Sequence, residues 1–445
     1  MKVLFVSLGC DKNTVDSQMM LGILSDAGHI ITYREDEAEA VVINTCAFIN
    51  DAKQESINTI LEMAQLKKTG NVKAIVVTGC LAQRYKEEIT ENIPEVDAVL
   101  GIQSFDRVAE VLKKAREGEK SYIFDKLDEP AICGKKRILT GATHYAYLKI
   151  AEGCNKHCTY CIIPSLRGKY RSVPKEVLIK EANELANKGV KELIVVAQET
   201  TVYGTDIYGK KCLPKLLHEL AQIEGIENIR LLYCYPEEID DELILTIKNE
   251  PKVCNYLDIP IQHASDRILK RMGRKTSEED IRTLVNKLRR EIPDIAIRTT
   301  LISGFPGETH RDYVCVKKFV SDMRFDRLGV FTYSAEEGTG AAKMKHQVPG
   351  FVKKMRRNGI MKLQQRIAFE NARAAVSDEY DVTIEGRLLD DGVYVGRTYK
   401  DAPDVDGYVF VTSGRDLMSG DRIKVKITDA RGYDLCGEEI EETEE

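Results

Sequence analysis

The sequence predicts an α/β multidomain protein: an open parallel α/β domain over residues 1–117, a partial (β/α)6 barrel over 140–370 and a small antiparallel β-barrel over 373–442. Two observations carry most of this. Compact runs of Val and Ile alternate with stretches of helical period through the first two modules, the texture of parallel strands buried on both faces and joined by helices. Past residue 373 the helical period ends, and short strand-like runs are split by tight turns.

Taken in order, KVLFVSL, EAVVINT and VKAIVVT are the strands of the first module. Between them, VDSQMMLGILSDAG and AKQESINTILEMAQLKKTG repeat apolar residues at helical spacing and end at Gly, which closes helices readily. Residues 118–139 carry charge, Gly and Pro without a steady period and read as a linker. The alternation resumes with HYAYLKIA, ELIVVA, NIRLLYC, YLDIPI, AIRTTLISG and RLGVFTYS, separated by helical patterns such as VPKEVLIKEANELANKG and SEEDIRTLVNKLRREIP. These strands are too few for a closed eightfold barrel, so a partial one is expected, with its active face at the strand C-termini. A basic helix, VKKMRRNGIMKLQQRIAFENARAAV, leads into YDVTIEG, VYVGRTY, GYVFVTS and DRIKVKITDA, which suit a small closed barrel that binds oligomers or partner proteins.

At 445 residues, 43% hydrophobic and 31% charged, the composition is that of a soluble globular protein, not of a disordered or membrane one. The opening MKVLFVSLGC is too short to span a bilayer and continues into the fold, so a first strand is expected there and no signal peptide. The cytoplasm is the expected location, with no membrane partner. Disulfides do not explain 12 cysteines in a reducing compartment, which leaves packing, metal ligation and redox roles. A net charge of −6 argues against a nucleic-acid binder as a whole.

The sharpest motif is AEGCNKHCTYCIIP, with Cys154, Cys158 and Cys161 directly after the first strand of the central module. Zinc sites usually show a second pair of cysteines or added histidines, and here a fourth ligand is missing unless His157 joins. A cube of four irons held by three thiolates instead leaves one iron open to a ligand. A second triad, Cys10, Cys46 and Cys80, is far apart in sequence, yet each follows a predicted parallel strand, in SLGC, NTC and TGC. Ligands of open α/β sheets gather beyond the strand C-termini, so the three thiols are expected to converge there. Buried packing is the alternative for a single such Cys; three in register favour a shared metal.

The spacing of the first triad resembles the radical S-adenosylmethionine superfamily, whose members look like partial (β/α)6 barrels. Both triads together resemble the methylthiotransferases over essentially the whole chain, in SLGCDKNTVDS, CIIPSLRGKYRS, ISGFPGET and YVGRTYKDAPDVDG. The resemblance implies an N-terminal methylthiotransferase domain, a radical domain and a C-terminal TRAM barrel of OB-like form. It implies two 4Fe-4S clusters, S-adenosylmethionine, an external sulfur source and an electron donor such as flavodoxin or ferredoxin. Tyr160 matches the aromatic beside the adenine. Further contacts are expected from Gln198, Glu199, Glu237, Gln262, His263, Arg298 and Gly304, the last within a GFPGET turn whose exposed amides would seat a ribose or carboxylate. For each of these, a salt bridge or cap closing a barrel loop is the competing reading. Gln18 stands where the pattern has Glu, and Val173 where it has Arg.

Family members divide between those that modify a tRNA adenosine and those that modify an aspartate of the twelfth protein of the small ribosomal subunit. From residue 378 onward the chain holds 8 Lys plus Arg against 19 Asp plus Glu, a local charge of −11. An acidic barrel repels a phosphate backbone and attracts a basic ribosomal protein, free or on the ribosome, so specific tRNA binding is not expected. With no apolar periodic surface left over, a monomer is expected. Arg167, Lys169 and Arg171 form a basic cluster after the radical motif, expected to hold adenosylmethionine or receive an aspartate, and Lys353, Lys354, Arg356 and Arg357 read as a solvated helix face.

Overall fold

Strands whose residues are apolar on both sides must be covered on both sides, and the first module meets this with a parallel sheet between helices. In the computed structural model, which describes residues 1–388 and 392–440, it comprises β1 (Lys2–Ser7), β2 (Ile30–Thr32), β3 (Ala40–Thr45), β4 (Ala74–Gly79), β5 (Ala98–Leu100) and β6 (Ser121–Ile123). Their order is β2-β1-β3-β4-β5-β6, all parallel. Every residue of β3 and β4 is buried. The helices Asp11–Asp26 and Asn50–Thr69 follow β1 and β3, where the sequence pattern puts them. Short β2 and β5 escape that pattern because three residues show no period, and β6 falls within the stretch read as linker.

The central module continues with β7 (Tyr145–Lys149), the antiparallel pair β8 (Ala151–Glu152) and β9 (Arg171–Ser172), β10 (Glu192–Val196), β11 (Asn228–Leu231), β12 (Val253–Asp258), β13 (Ala296–Ser303) and β14 (Arg327–Thr332). Six of them form an unclosed parallel sheet in the order β14-β13-β12-β11-β10-β7. Helices Glu278–Glu291 and His310–Met323 begin with reciprocal capping boxes, Ser277 with Asp280 and Thr309 with Asp312, which satisfy two of the amides that a helix start leaves free. The helix Gly350–Ala374 then leads to the last module.

That module is a closed barrel of β15 (Glu379–Arg387), β16 (Val393–Arg397), β17 (Val409–Thr412), β18 (Arg422–Arg431) and β19 (Asp434–Glu439). It is not wholly antiparallel as expected: β17 and β19 pair in parallel, because β19, unread in the sequence, closes the cylinder between β17 and β18. The barrel docks through 397–406. Glu192 receives Arg230 Nε at 2.7 Å and Arg397 NH2 at 2.8 Å. Arg327 pairs with Asp401, Arg298 Nε lies 3.6 Å from Asp406, and the Tyr145 and Tyr256 hydroxyls donate to Asp404 and Asp406, each at 2.9 Å.

This docking changes the meaning of the charge count. Glu385, Asp401, Asp404 and Asp406 face partners on the central module or within the dock. On the described free surface of the barrel, Asp378, Glu379, Asp381, Asp416, Asp421, Asp429, Asp434, Glu438 and Glu439 stand against Arg387, Arg415, Arg422, Lys424, Lys426 and Arg431, so the acidic excess there is smaller than the sequence count but remains. Among the described residues no helix is long and apolar enough to cross a membrane.

Candidate functional site

Cys10, Cys46 and Cys80 lie just beyond β1, β3 and β4, three neighbours in the sheet. The registers Ser7↔Asn44 and Thr45↔Gly79 bring the strand ends level. Glycines make the approach possible. Gly9 has φ +99°, and a Cβ there would sit 3.0 Å from Cys46 Cβ and 3.2 Å from its sulfur; Gly79, φ +90°, would meet Thr45 O at 2.4 Å. Asn13 Nδ2 donates to Leu8 O and Thr45 O at 2.9 and 3.1 Å, and Ser56 Oγ bonds both the Cys46 amide and its carbonyl at 3.0 and 2.9 Å. Burial pushes the Cys46 thiol up and Cys80 up to about 11, and in both the neighbouring thiols of the triad add to the rise.

Cys154, Cys158 and Cys161 occupy the loop after β8. The Cys154 amide donates to Gly168 O at 3.2 Å and that of Thr159 to Met272 O at 2.9 Å, tying the loop at two points. The Lys156 amide approaches Cys154 Sγ at 3.4 Å, and Tyr235 OH lies 3.4 Å from Cys158 Sγ. Burial pushes Cys154 up to about 11 and Cys161 up to about 12. Among the described residues no three or more His, Cys, Asp or Glu close on a single metal ion. An all-thiol donor set without His or carboxylate suits a soft, multi-iron centre, which spreads its ligands wider than one ion does.

Unpartnered polar atoms collect beside the second loop. Glu199, 1% exposed, accepts from the Thr201 amide at 3.0 Å through Oε1, while its Oε2 has no partner; burial raises this carboxyl to about 7. Gln198 Nε2 donates to Glu152 at 2.9 Å and leaves Oε1 free. Glu237 pairs with Lys156 at 3.3 Å and keeps Oε2 free, with Arg274 NH2 4.0 Å away. Arg274, missed in the sequence, stacks over the Tyr235 ring at 4.2 Å with Nε and NH1 unpartnered. Tyr160 packs edge-on against Phe305, centroids 6.5 Å apart. Gln262 has φ +71° and bridges to β13 through its backbone, and the neighbouring His263 Nδ1 accepts from the Ser265 amide at 2.9 Å.

Two expected contacts have other partners. Arg298 NH1 binds Asp258 at 2.9 Å and its Nε faces Asp406 of the barrel, so this side chain serves the dock. The GFPGET amides are not free: Gly304 N and Phe305 N both donate to Glu308 Oε2, at 2.6 and 3.2 Å, so the turn caps itself with its own acid. Arg356, expected on a solvated face, is buried and holds Glu308 Oε1 at 2.9 Å. The departures from the family pattern are accommodated. Gln18 Oε1 accepts from Arg137 NH2 at 2.5 Å, and Arg137 already has Glu181, so a neutral residue suffices; Val173 is simply buried. Cys234 is fully buried, and all 12 cysteines are free thiols.

Between the two triads runs a buried network that joins the first two modules. Lys149 pairs with Asp16 and, at 2.9 Å, with Glu152. Arg167 NH1 binds Glu152 Oε1 at 2.8 Å and lies 3.5 Å from Asp16, while NH2 donates to Asn13 Oδ1 at 2.6 Å and to Cys80 Sγ at 3.6 Å. The sequence flagged Arg167 as basic, but a sequence does not say which domain its guanidinium enters.

Comparisons with known proteins give the domains and the family. Three family models match in succession: the uncharacterized protein family UPF0004 over residues 2–101, the radical SAM superfamily over 148–320 and the TRAM domain over 376–440. The fold is that of a radical SAM enzyme between two accessory domains. Among solved structures, the radical S-adenosylmethionine methyltransferase TsrM of Kitasatospora setae is similar in fold, with a TM-score of 0.54 at 15% identity, covering 89% of this chain and 81% of that one. Among curated relatives, the ribosomal protein uS12 methylthiotransferase RimO of Lachnoclostridium phytofermentans is 59% identical over 98% of this chain and 99% of its own length, and that of Acetivibrio thermocellus 51% identical over 99% of each. The chain belongs to the RimO family of radical SAM methylthiotransferases.

Proposed function

We propose that this chain attaches a methylthio group to the β-carbon of an aspartate in ribosomal protein uS12, and that Cys154, Cys158 and Cys161 hold one 4Fe-4S cluster while Cys10, Cys46 and Cys80 hold a second. The observation that carries this reading is the pair of all-cysteine triads at the C-terminal edges of two parallel sheets, with one buried charge network between them. When bound, the clusters and adenosylmethionine supply the hydrogen-abstracting radical and the sulfur, with electrons from a flavodoxin- or ferredoxin-type donor and sulfur from an external source. The chain's own residues orient the reactants. The free oxygens of Glu199 and Glu237 and the free amide oxygen of Gln198 suit the methionyl ammonium and ribose hydroxyls, and the free N–H groups of Arg274 suit its carboxylate. Tyr160, edge-on to Phe305, and Tyr235, beneath Arg274, supply the apolar surface beside the loop. The relatives named for uS12 support the protein substrate over a tRNA adenosine. The acidic excess left on the described free face of the barrel suits a basic ribosomal protein. Action as a monomer in the cytoplasm is part of the same reading.

The test is the product mass after anaerobic reconstitution with iron and sulfide and incubation with adenosylmethionine, reductant and either uS12 or unmodified tRNA. A gain of about 46 Da on a uS12 aspartate is the expected outcome. The same gain on a tRNA adenosine would overturn the substrate, and cleaved adenosylmethionine with neither substrate altered would overturn the reaction.

A further inference from the structure

We propose that Arg167 is a positioning residue for the Cys10–Cys46–Cys80 centre: carried on the radical module, it reaches across the domain interface to the Cys80 sulfur and raises the reduction potential of whatever iron–sulfur group that triad holds. The inference rests on the reading that this triad binds a cluster.

Arg167 ends the short helix Ile163–Arg167, six residues past Cys161, and is 2% exposed. Its guanidinium is divided between the modules. NH1 faces Glu152 at 2.8 and 3.0 Å, and NH2 faces Asn13 Oδ1 at 2.6 Å and Cys80 Sγ at 3.6 Å. The remaining charged groups are Asp16, 3.5 Å from NH1, Lys149, which pairs with both acids, and buried Arg171, whose NH1 donates to the Arg167 carbonyl at 3.1 Å. The network therefore sets three cations against two anions, with Arg167 the member that touches a cysteine of the Cys10–Cys46–Cys80 triad.

Reduction adds negative charge to a cluster, and a hydrogen bond or cation at a ligand sulfur stabilises the reduced form more than the oxidised one. In a dry interface that bias is poorly screened. Glu152 works in the opposite sense by offsetting the guanidinium. A residue serving only as an interface clamp would make no signed prediction: loss of either partner would loosen the same contact in the same way.

The experiment uses the full chain with Cys154, Cys158 and Cys161 replaced by Ala, reconstituted with iron and sulfide so that one centre remains. Iron per chain is counted, and the centre is titrated potentiometrically with EPR detection. Arg167→Gln is expected to lower the reduced-to-oxidised ratio at fixed potential at least tenfold, about 59 mV for a one-electron couple. Arg167→Lys, which keeps charge but loses the fork, lowers it less, and Glu152→Gln raises it. Should R167Q fail to hold iron, the opposite signs of R167K and E152Q still decide. Potentials that are unmoved, or that move the same way in R167K and E152Q, overturn the inference while leaving the cluster in place. A parent chain that binds no iron fails at the count itself, and removes the reading of the Cys10–Cys46–Cys80 triad along with the inference.

Discussion

Replacing Glu192 with Gln should loosen the barrel from the radical module, and the size of the effect follows from the contacts. The carboxylate is 1% exposed and receives Arg230 at 2.7 Å and Arg397 at 2.8 Å. Burial alone would raise its pKa, but the guanidiniums of Arg397 and Arg230 override burial and hold it at about 2, against an ordinary 4.5. A displacement of roughly 2.5 pKa units corresponds to about 3 kcal/mol of native-state stabilisation at neutral pH. Breaking a buried pair from one side costs a similar amount, about 3–5 kcal/mol, because the cations left behind stay buried. The folded pKa lies below the unfolded one, so this stabilisation is complete above the ordinary carboxyl value and is lost as the pH falls toward about 2. Urea unfolding followed by far-UV circular dichroism should show Glu192→Gln less stable by about 3 kcal/mol at neutral pH, with the gap from wild type closing as the pH falls below about 4. A gap under about 1 kcal/mol at neutral pH, or one that widens in acid, would refute the argument.

Other outcomes follow from the same structure. Ala at Cys154, Cys158 or Cys161 should abolish adenosylmethionine cleavage, whereas Ala at Cys10, Cys46 or Cys80 should spare cleavage and stop methylthio transfer; chromatography of 5'-deoxyadenosine beside product mass separates the two, and cleavage in both sets would break the assignment. Gly9→Ala places a Cβ 2.9 Å from Asn13 Nδ2 and 3.0 Å from Cys46 Cβ at a φ of +99°, so it should cost about 1–3 kcal/mol and lower iron per chain, while Ala at open Gly28 leaves the iron content unchanged. Glu308→Ala strips the Gly304 and Phe305 amides and Arg356 of their shared partner, and should destabilise the turn by about 3–5 kcal/mol, seen as faster hydrogen exchange at those two amides.

Much of the architecture was legible because burial on both faces leaves a plain record: β3, β4 and β10 are buried at every position and stand in the sequence as Val- and Ile-rich runs. The strand-end positions of Cys10, Cys46 and Cys80 were equally readable, since in a parallel sheet a residue just past a strand must lie at its C-terminal edge. Strands of three residues, such as β5 and β6, leave no period to read, and β6 sat in a segment whose charge and Gly suggested a linker. Which pairs close the C-terminal barrel depends on where the chain returns, and that is a property of the whole cylinder.

Polar partners were the least legible part. Glu308 could serve a ligand or its own turn, and only the folded turn decides that Gly304 and Phe305 donate to it. The acids of YVGRTYKDAPDVDG count as surface charge in a sequence, yet Asp401, Asp404 and Asp406 are engaged by Arg327, Tyr145, Tyr256 and Arg298 across the dock. Arg167 follows the radical motif but ends on Cys80. Periodicity and spacing record which surface a residue turns toward the core, and so the sequence by itself determined the modules and the two cysteine triads. Charge and hydrogen bonding act between residues that only tertiary folding brings together, and so the structure alone decided which polar groups remain free for ligands.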